Sequence, residues 1–210
     1  MVYFTSLAML LISALIAGQA GGDSAASPVA NSPAAGISSH AVVVPQPALQ
    51  ERDWKTIVLH HSATRGGDVA TIDAEHRKHR DRSGNPWLGI GYHFVVGNGQ
   101  KMADGEVQAT FRWHKQLPGA HAGNRDHNDN GIGICLIGNF DQAPPTDRQV
   151  AAVRGLVKSL AERYAISRDG LVRHSDVQAT LCPGKLFPWE PVRCELVARQ
   201  QTLKEQTLKN

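Results

Sequence analysis

The chain of 210 residues has the composition of one soluble globular domain with short extensions. Hydrophobic residues make up 41% of it and charged residues 20%, and the formal net charge is +3. No stripe of lysine and arginine with interleaved aromatics is present, so the sequence predicts no nucleic-acid partner. A mildly basic protein can still be attracted to an acidic polymer such as a cell wall.

The N-terminal segment is typical of an export signal. Residues 7–17 are almost wholly apolar, and Gly18 and Ala20 fit cleavage after Ala20. The apolar run is short for a membrane span. We therefore expect a signal peptide over 1–20 and an exported protein, either periplasmic or secreted. Because no lysine or arginine precedes the apolar run, membrane anchoring through an uncleaved segment is the alternative.

Composition divides the remainder of the chain into three regions. Residues 21–50 are rich in Ala, Ser, Pro, Gly and Val, with Asp23 as the only formal charge, which is typical of a flexible linker. The folded domain is expected over 51–200. The last segment, 201–210, is expected to be a tail.

The first half of the domain predicts two strands with a helix between them. The run "KTIVLHHSA" (55–63) is apolar and β-rich and ends in polar residues, as a buried strand does. The run "GDVATIDAEHRKHRD" (67–81) favours a helix with Asp68 as its N-cap. A turn is expected at "SGNP" (83–86), followed by a strand at "IGYHFVVG" (90–97).

The second half predicts a central strand and the clearest helix. The apolar run "GIGICLIGNF" (131–140) is typical of a central strand. Thr146 and Gln149 form a T-x-x-Q capping box. Five apolar residues then follow at spacings of three and four: Val150, Val153, Val157, Leu160 and Tyr164.

Two shorter elements complete the domain. A short strand end is expected at 170–174 and a final helix at 190–200. The predicted fold class is therefore α/β, a single domain with a central mixed β-sheet flanked by about three α-helices.

Chemistry is expected where polar side chains follow strands. His60 and His61 are neighbours in a strand and point to opposite faces, so only one of them easily reaches a shared point. His174 ends a short strand, and Cys182 stands just before a Pro-Gly pair. Zinc accepts imidazole and thiolate together, with three protein ligands in catalytic sites and four in structural ones. One of the two histidines, together with His174 and Cys182, would supply the three protein ligands of a catalytic zinc site.

The cysteine count leaves another role open for Cys182. Three cysteines in an exported protein mean that at least one is not in an intramolecular pair. Spacing alone supports a disulfide from Cys182 to Cys135 or Cys194 about as well as a metal ligand. Cys135 lies in the middle of an apolar strand and is expected to be a buried free thiol.

Four motifs follow one another along the chain: "IVLHHSAT", "GIGYHFVV", "HAGN…NGIGICLIGNF" and "HSDVQATLCPG". In this order they resemble the zinc-dependent N-acetylmuramoyl-L-alanine amidases, the family of phage lysozyme-type amidases and peptidoglycan recognition proteins. They cover roughly residues 54–192. The resemblance implies the fold of that family and one bound zinc ion. It also implies hydrolysis of the amide between N-acetylmuramic acid and L-alanine, with peptidoglycan or muropeptides as the substrate.

The resemblance also implies roles for single residues. The zinc ligands of the family fall on His60, His174 and Cys182, which selects His60 over its neighbour. The tyrosine beside the metal falls on Tyr92, and the Thr or Lys two residues before the cysteine falls on Thr180. Both hydroxyls would stabilise a tetrahedral oxyanion. Neither is a good general base near pH 7, so the base is not identified.

Other residues are candidates for binding the substrate. His121 and Asn130 flank a loop that resembles the family's substrate-binding segment. Trp87 is expected to stack on a sugar or cover the stem peptide, with core packing as the alternative, and His61 to line the cleft.

Three further histidines are expected to have no part in the site. His76 and His79 lie on a polar helix and are expected at the solvated surface. His93 is expected to pack or hydrogen-bond within the sheet.

The alternative function is a peptidoglycan-binding module without catalysis. The resemblance implies that binding-only members lack the metal cysteine, so Cys182 favours the enzyme.

Overall fold

The computed structural model describes residues 42–81 and 83–196. The predicted signal peptide (1–20) and the predicted tail (201–210) lie outside the described residues. Within the described ranges, none of the helices combines the length and the apolar character needed to cross a bilayer.

A five-stranded mixed sheet forms the centre of the domain. Its strands are β1 (Thr56–His61), β2 (Phe94–Val96), β3 (Val107–Ala109), β4 (Gly131–Leu136) and β5 (Leu171–Arg173). The order across the sheet is β3-β2-β4-β1-β5, so β4 is central as predicted. Only β2 and β3 pair antiparallel. Since β1 and β5 run parallel, residues at their carboxyl ends meet at one edge of the sheet.

Six α-helices lie within the described ranges. They are α1 (Val69–His76), α2 (Phe111–His114), α3 (Arg125–Asn130), α4 (Asp147–Tyr164), α5 (His174–Val177) and α6 (Trp189–Arg193). The sequence predicted α1, α4 and α6. The other three have four to six residues, which is too short for a repeating apolar stripe.

Hydrogen bonds at the helix starts confirm the predicted caps. The Asp68 carboxylate accepts from the Thr71 N–H at 2.7 Å. At the start of α4, Thr146 Oγ1 accepts from the Gln149 N–H, and the Gln149 side chain accepts from the Thr146 N–H. Each side chain satisfies a donor that has no partner inside its helix.

Strand β2 begins at Phe94, four residues later than predicted, because α1 takes the preceding backbone donors. The Ile90 N–H donates to the Asp73 carboxylate at 2.8 Å. The Gly91 N–H donates to His76 Nδ1 at 2.9 Å. These residues therefore join the sheet to α1 instead of extending a ladder.

The two faces of the sheet have different coverings. Helix α4 packs on one face, where Val153, Val157 and Leu160 are buried as predicted, while Val150 and Tyr164 are only half-buried. The strand residues on that face are Ile57, Leu59, Ile132, Ile134 and Leu136.

The opposite face carries the alternate residues of the same strands. In β4 these are Gly131, Gly133 and Cys135, and Cys135 pairs in register with His60 of β1. The pattern G-I-G-I therefore gives β4 a bulky face toward α4 and a nearly bare face toward His60. That bare face leaves room for a loop that carries His121.

Residues 42–50 contact the folded domain. The Val42 carbonyl accepts from Ser159 Oγ at 3.1 Å, and the Pro45 carbonyl accepts from the Trp113 indole at 2.9 Å. Apolar packing of Val42 against the core accompanies these bonds. The predicted linker (21–50) overlaps this segment at its C-terminal end, so contacts with the domain begin before residue 51.

Candidate metal centre

His60, His174 and Cys182 form the one cluster of potential metal ligands found in the described part of the chain. One ligand atom from each lies within 4.8 Å of those from the other two. His60 stands near the end of β1, and His174 follows directly after β5, which pairs in parallel with β1. Cys182 returns to the same edge, where its carbonyl accepts from the Ser175 N–H at 2.8 Å.

The donor set fits a zinc ion. His60 Nδ1 lies 3.8 Å from Cys182 Sγ. Two tetrahedral ligands at zinc bond lengths of about 2.05 Å for nitrogen and about 2.3 Å for sulfur would lie about 3.6 Å apart. Two imidazoles and one thiolate also leave a fourth position open, as in catalytic zinc sites.

Burial shifts the pKa values of His60 and Cys182 in opposite directions. The pKa of His60 is held well below its usual value by burial, with the neighbouring imidazoles of His121 and His174 adding to the effect, so its ring is neutral. Burial raises the pKa of Cys182 to about 11, and a hydrogen bond from the His61 N–H at 3.3 Å offsets part of that rise. A bound cation reverses the preference of the thiol for its proton, because a coordinating thiol is deprotonated.

Tyr92 and Thr180 both lie beside the cluster. The Tyr92 ring centroid is 5.1 Å from that of His60. Burial raises the pKa of Tyr92 well above its usual value, and the nearby thiols of Cys135 and Cys182 act in the same direction. Tyr92 is therefore a neutral hydroxyl, able to donate a hydrogen bond but poorly suited to act as a base.

Thr180 is exposed and bonds to the backbone of a ligand. Its Oγ1 accepts from the Cys182 N–H at 3.3 Å. The hydroxyl proton is left for another acceptor, and Thr180 lines an open cleft together with Arg173 and Lys185. Both predicted catalytic residues thus stand next to the cluster.

His61 is directed away from the cluster. It is only 7% exposed, and its Nδ1 accepts from the Phe140 N–H at 3.1 Å. Its ring packs against Phe140 on the α4 face of the sheet. Its backbone, rather than its side chain, reaches the site through the bond to Cys182.

Asn130 is not brought to the cluster. It ends α3, and its carbonyl accepts from the Lys55 N–H at 2.9 Å, at the start of β1. Since Lys55 precedes His60 by five residues, Asn130 lies roughly 16 Å from the metal edge, at about 3.3 Å per strand residue. The Asn130 side chain instead donates to Asp126 at 2.8 Å.

Trp87 belongs to an aromatic group at the end of α1. Its half-buried ring lies 5.6 Å from that of His76 and 5.2 Å from that of His79. The prediction that His76 is a solvated surface residue is wrong. It accepts from the Gly91 N–H, and its ring lies 5.4 Å from that of Tyr92. The sequence did contain a signal, because His76 is four residues after the buried Ile72 on the same helix face.

Histidine 121 is placed behind His60. It is 7% exposed, and its Nδ1 lies 3.1 Å from His60 Nε2. Asn128, which sequence reasoning missed, fixes its loop by accepting from the N–H groups of His121 and Ala122 at 2.8 and 2.9 Å. His93 hydrogen-bonds within the sheet as expected, accepting from the Gly133 N–H at 3.0 Å.

All three cysteines are free thiols. Cys135 is buried, as predicted, and Cys194 is exposed. The disulfide alternative for Cys182 is therefore not formed, and its sulfur faces His60 instead.

Comparison with known proteins identifies the family. The family model described as N-acetylmuramoyl-L-alanine amidase matches residues 50–185, which is more than half of the chain. The chain belongs to the N-acetylmuramoyl-L-alanine amidase family. This amidase-family chain is 32% identical over 142 residues to peptidoglycan-recognition protein SC2 of Drosophila melanogaster, covering 65% of the chain and 71% of that protein.

A second relative and a solved structure agree with this assignment. The amidase-family chain is 36% identical over 118 residues to the N-acetylmuramoyl-L-alanine amidase of Homo sapiens, covering 55% of the chain but only 19% of that protein. It is 29% identical to the endolysin N-acetylmuramoyl-L-alanine amidase LysCS from Clostridium intestinale, with a TM-score of 0.58 over 76% of this chain and 98% of that one. The predicted fold class is thereby confirmed.

Proposed function

We propose that the chain is a zinc-dependent amidase that hydrolyses the bond between N-acetylmuramic acid and L-alanine in peptidoglycan. The observation that carries the proposal is the convergence of His60, His174 and Cys182 within 4.8 Å at the carboxyl edge of parallel strands. Membership of the amidase family supports the bond that is cut. The names of the relatives, a peptidoglycan-recognition protein and amidases, support the substrate class.

The residues present divide the work of an amide hydrolase. His60, His174 and Cys182 would hold the ion, which when bound supplies a Lewis acid and lowers the pKa of coordinated water to about 7. The neutral hydroxyl of Tyr92 would donate to the oxyanion of the tetrahedral intermediate. One such donor typically contributes about 10²–10³ in kcat. The free hydroxyl proton of Thr180 would supply a second donor.

The other imidazoles near Tyr92 are assigned to binding and positioning. His76 accepts from the Gly91 N–H through Nδ1, so its proton is on Nε2 and it presents a donor. His121 uses both ring nitrogens, toward His60 and toward the Gly131 carbonyl. Neither ring accepts a further proton without losing a hydrogen bond.

The proposal includes an exported protein that meets its substrate outside the cytoplasm, in the periplasm or after secretion. The apolar N-terminal run supports export, and the names of the relatives support a cell-wall partner. In this proposal 1–20 is a signal peptide, followed by a linker, the zinc amidase domain and a short tail. Membrane anchoring applies only if the N-terminal segment stays uncleaved.

Turnover of muropeptides tests the proposal against recognition without catalysis. The purified protein is incubated with muropeptides with zinc, after chelation, and after zinc is restored, and mass spectrometry detects free stem peptide. We expect release that is lost on chelation and recovered with zinc. Cys182→Ser should abolish release with the fold kept, whereas Cys194→Ser, which changes an exposed thiol outside the cluster, should retain it. Tight binding of muropeptides without release in the zinc-loaded protein would refute the amidase.

A further inference from the structure

Both histidines of the metal cluster use one ring nitrogen for the cluster and the other for a protein partner. His60 Nδ1 faces Cys182 Sγ at 3.8 Å, and its Nε2 lies 3.1 Å from His121 Nδ1. His174 Nε2 lies 2.9 Å from Gln178 Oε1, which leaves Nδ1 for the cluster. The two ligands thus share one arrangement, with Nδ1 inward and Nε2 on a partner.

The direction of each hydrogen bond follows from the number of protons. A neutral imidazole carries one proton, and a ligating Nδ1 must offer its lone pair, so the proton of His60 is on Nε2. That N–H donates to His121 Nδ1. His121 must then carry its own proton on Nε2, which lies 3.3 Å from the Gly131 carbonyl oxygen. A carbonyl oxygen only accepts hydrogen bonds. The two hydrogen bonds, from His60 to His121 and from His121 to Gly131, therefore both point toward the carbonyl.

The ring of His121 is held in a slot made by glycines. A Cβ at Gly133 would lie 2.5 Å from His121 Cδ2, and one at Gly119 would overlap the same ring. The Asn128 side chain fixes the backbone of the loop by accepting a hydrogen bond from the His121 N–H. The bare face of β4 thus accommodates the His121 ring directly behind His60.

We propose that His121 is a positioning residue that fixes the tautomer and orientation of His60 as a metal ligand. The inference rests on the zinc function proposed above. Partners of this kind typically contribute about 10–100-fold to metal affinity. Gln178 does the same for His174, but it is exposed, so water replaces it and its loss costs less.

An isosteric pair of variants tests the acceptor at position 121. Asn and Leu have similar size and shape, but Asn places a polar atom near the position of Nδ1 and Leu places a methyl group there. Zinc dissociation constants are measured for the purified full chain by competition with a chromophoric chelator. We expect His121→Leu to weaken zinc binding about 10–100-fold and His121→Asn to restore most of it.

A matched control separates positioning from general damage. His93 is also buried, and its ring centroid lies 5.8 Å from that of His121, but its hydrogen bonds go to Gly133 and Leu117. His93→Asn should therefore leave the zinc dissociation constant unchanged, with any loss of stability visible only in thermal unfolding. A loss of zinc affinity in His93→Asn equal to that in His121→Leu would overturn the inference.

The remaining outcomes distinguish this inference from the proposed function. In long-range ¹H–¹⁵N spectra of the zinc-loaded protein, His60 and His121 should both be Nε2–H tautomers, and an Nδ1–H form of either would overturn the inference. Zinc binding by His121→Leu that is as tight as in the unmodified chain would also overturn it, while leaving the amidase intact. An unmodified chain that binds no zinc would refute both.

Discussion

Zinc binding should release one proton from Cys182. The pKa of the buried thiol is about 11, so a solution at pH 7.5 is about 3.5 pH units below that pKa. Ionising it therefore costs about 5 kcal/mol of the intrinsic metal affinity. His60 adds no proton, because burial holds its pKa well below the usual value and its ring is already neutral. The zinc dissociation constant should thus fall at least about tenfold for each pH unit between about 7.5 and 9.

Calorimetry counts this proton directly. Zinc is titrated into the protein at pH 7.5 in buffers of different ionisation enthalpy, and the dependence of the observed heat on the buffer gives the number of protons released. We expect a value of at least one for the unmodified chain and for Cys194→Ser, because coordinated water with a pKa of about 7 adds to the proton from the thiol. Cys182→Ser should bind far more weakly without that proton. A dissociation constant that does not change with pH, or a proton count near zero, would show that Cys182 is not a ligand or is already ionised.

Three substitutions test other parts of the site and fold. Tyr92→Phe should lower kcat about 10²–10³-fold in muropeptide turnover while zinc affinity is kept, and an unchanged kcat would remove Tyr92 from the catalytic step. Gly133→Ala should displace the His121 ring, weaken zinc binding and lower the free energy of unfolding in urea by about 1–3 kcal/mol; no change in either quantity would contradict the tight slot. Thr146→Ala breaks the capping box and should lower the same free energy by about 0.5–2 kcal/mol without altering zinc affinity; an equal midpoint in urea would count against the cap.

Local signals in the sequence were sufficient for the main elements. The capping box of α4 and the apolar run of β4 each depend on residues close in the chain, and both elements form where they were predicted. Alternation along β1 showed that His60 and His61 face opposite ways. Which of them faces the metal depends on the face that α4 covers, so the residues alone could not decide it, and the family resemblance did.

Contacts between distant elements could not be predicted from the sequence. Helix α1 takes the N–H groups of Ile90 and Gly91, which shortens β2, and no local pattern reports that. Asn130 is close in sequence to the loop of His121, but the direction of β4 places it at the far end of the sheet. The position of His121 behind His60 likewise follows only from the register of β4 on β1.

The β5 edge of the sheet determines how metal enters and leaves. Strand β5 has three residues, pairs only with β1, and is followed by both His174 and Cys182. Peeling this one strand away would remove two of the three ligands and leave the pairing of β1 with β4 intact. The rate of metal exchange should therefore follow local opening of an edge, a low-energy event, and not the much rarer unfolding of the whole domain.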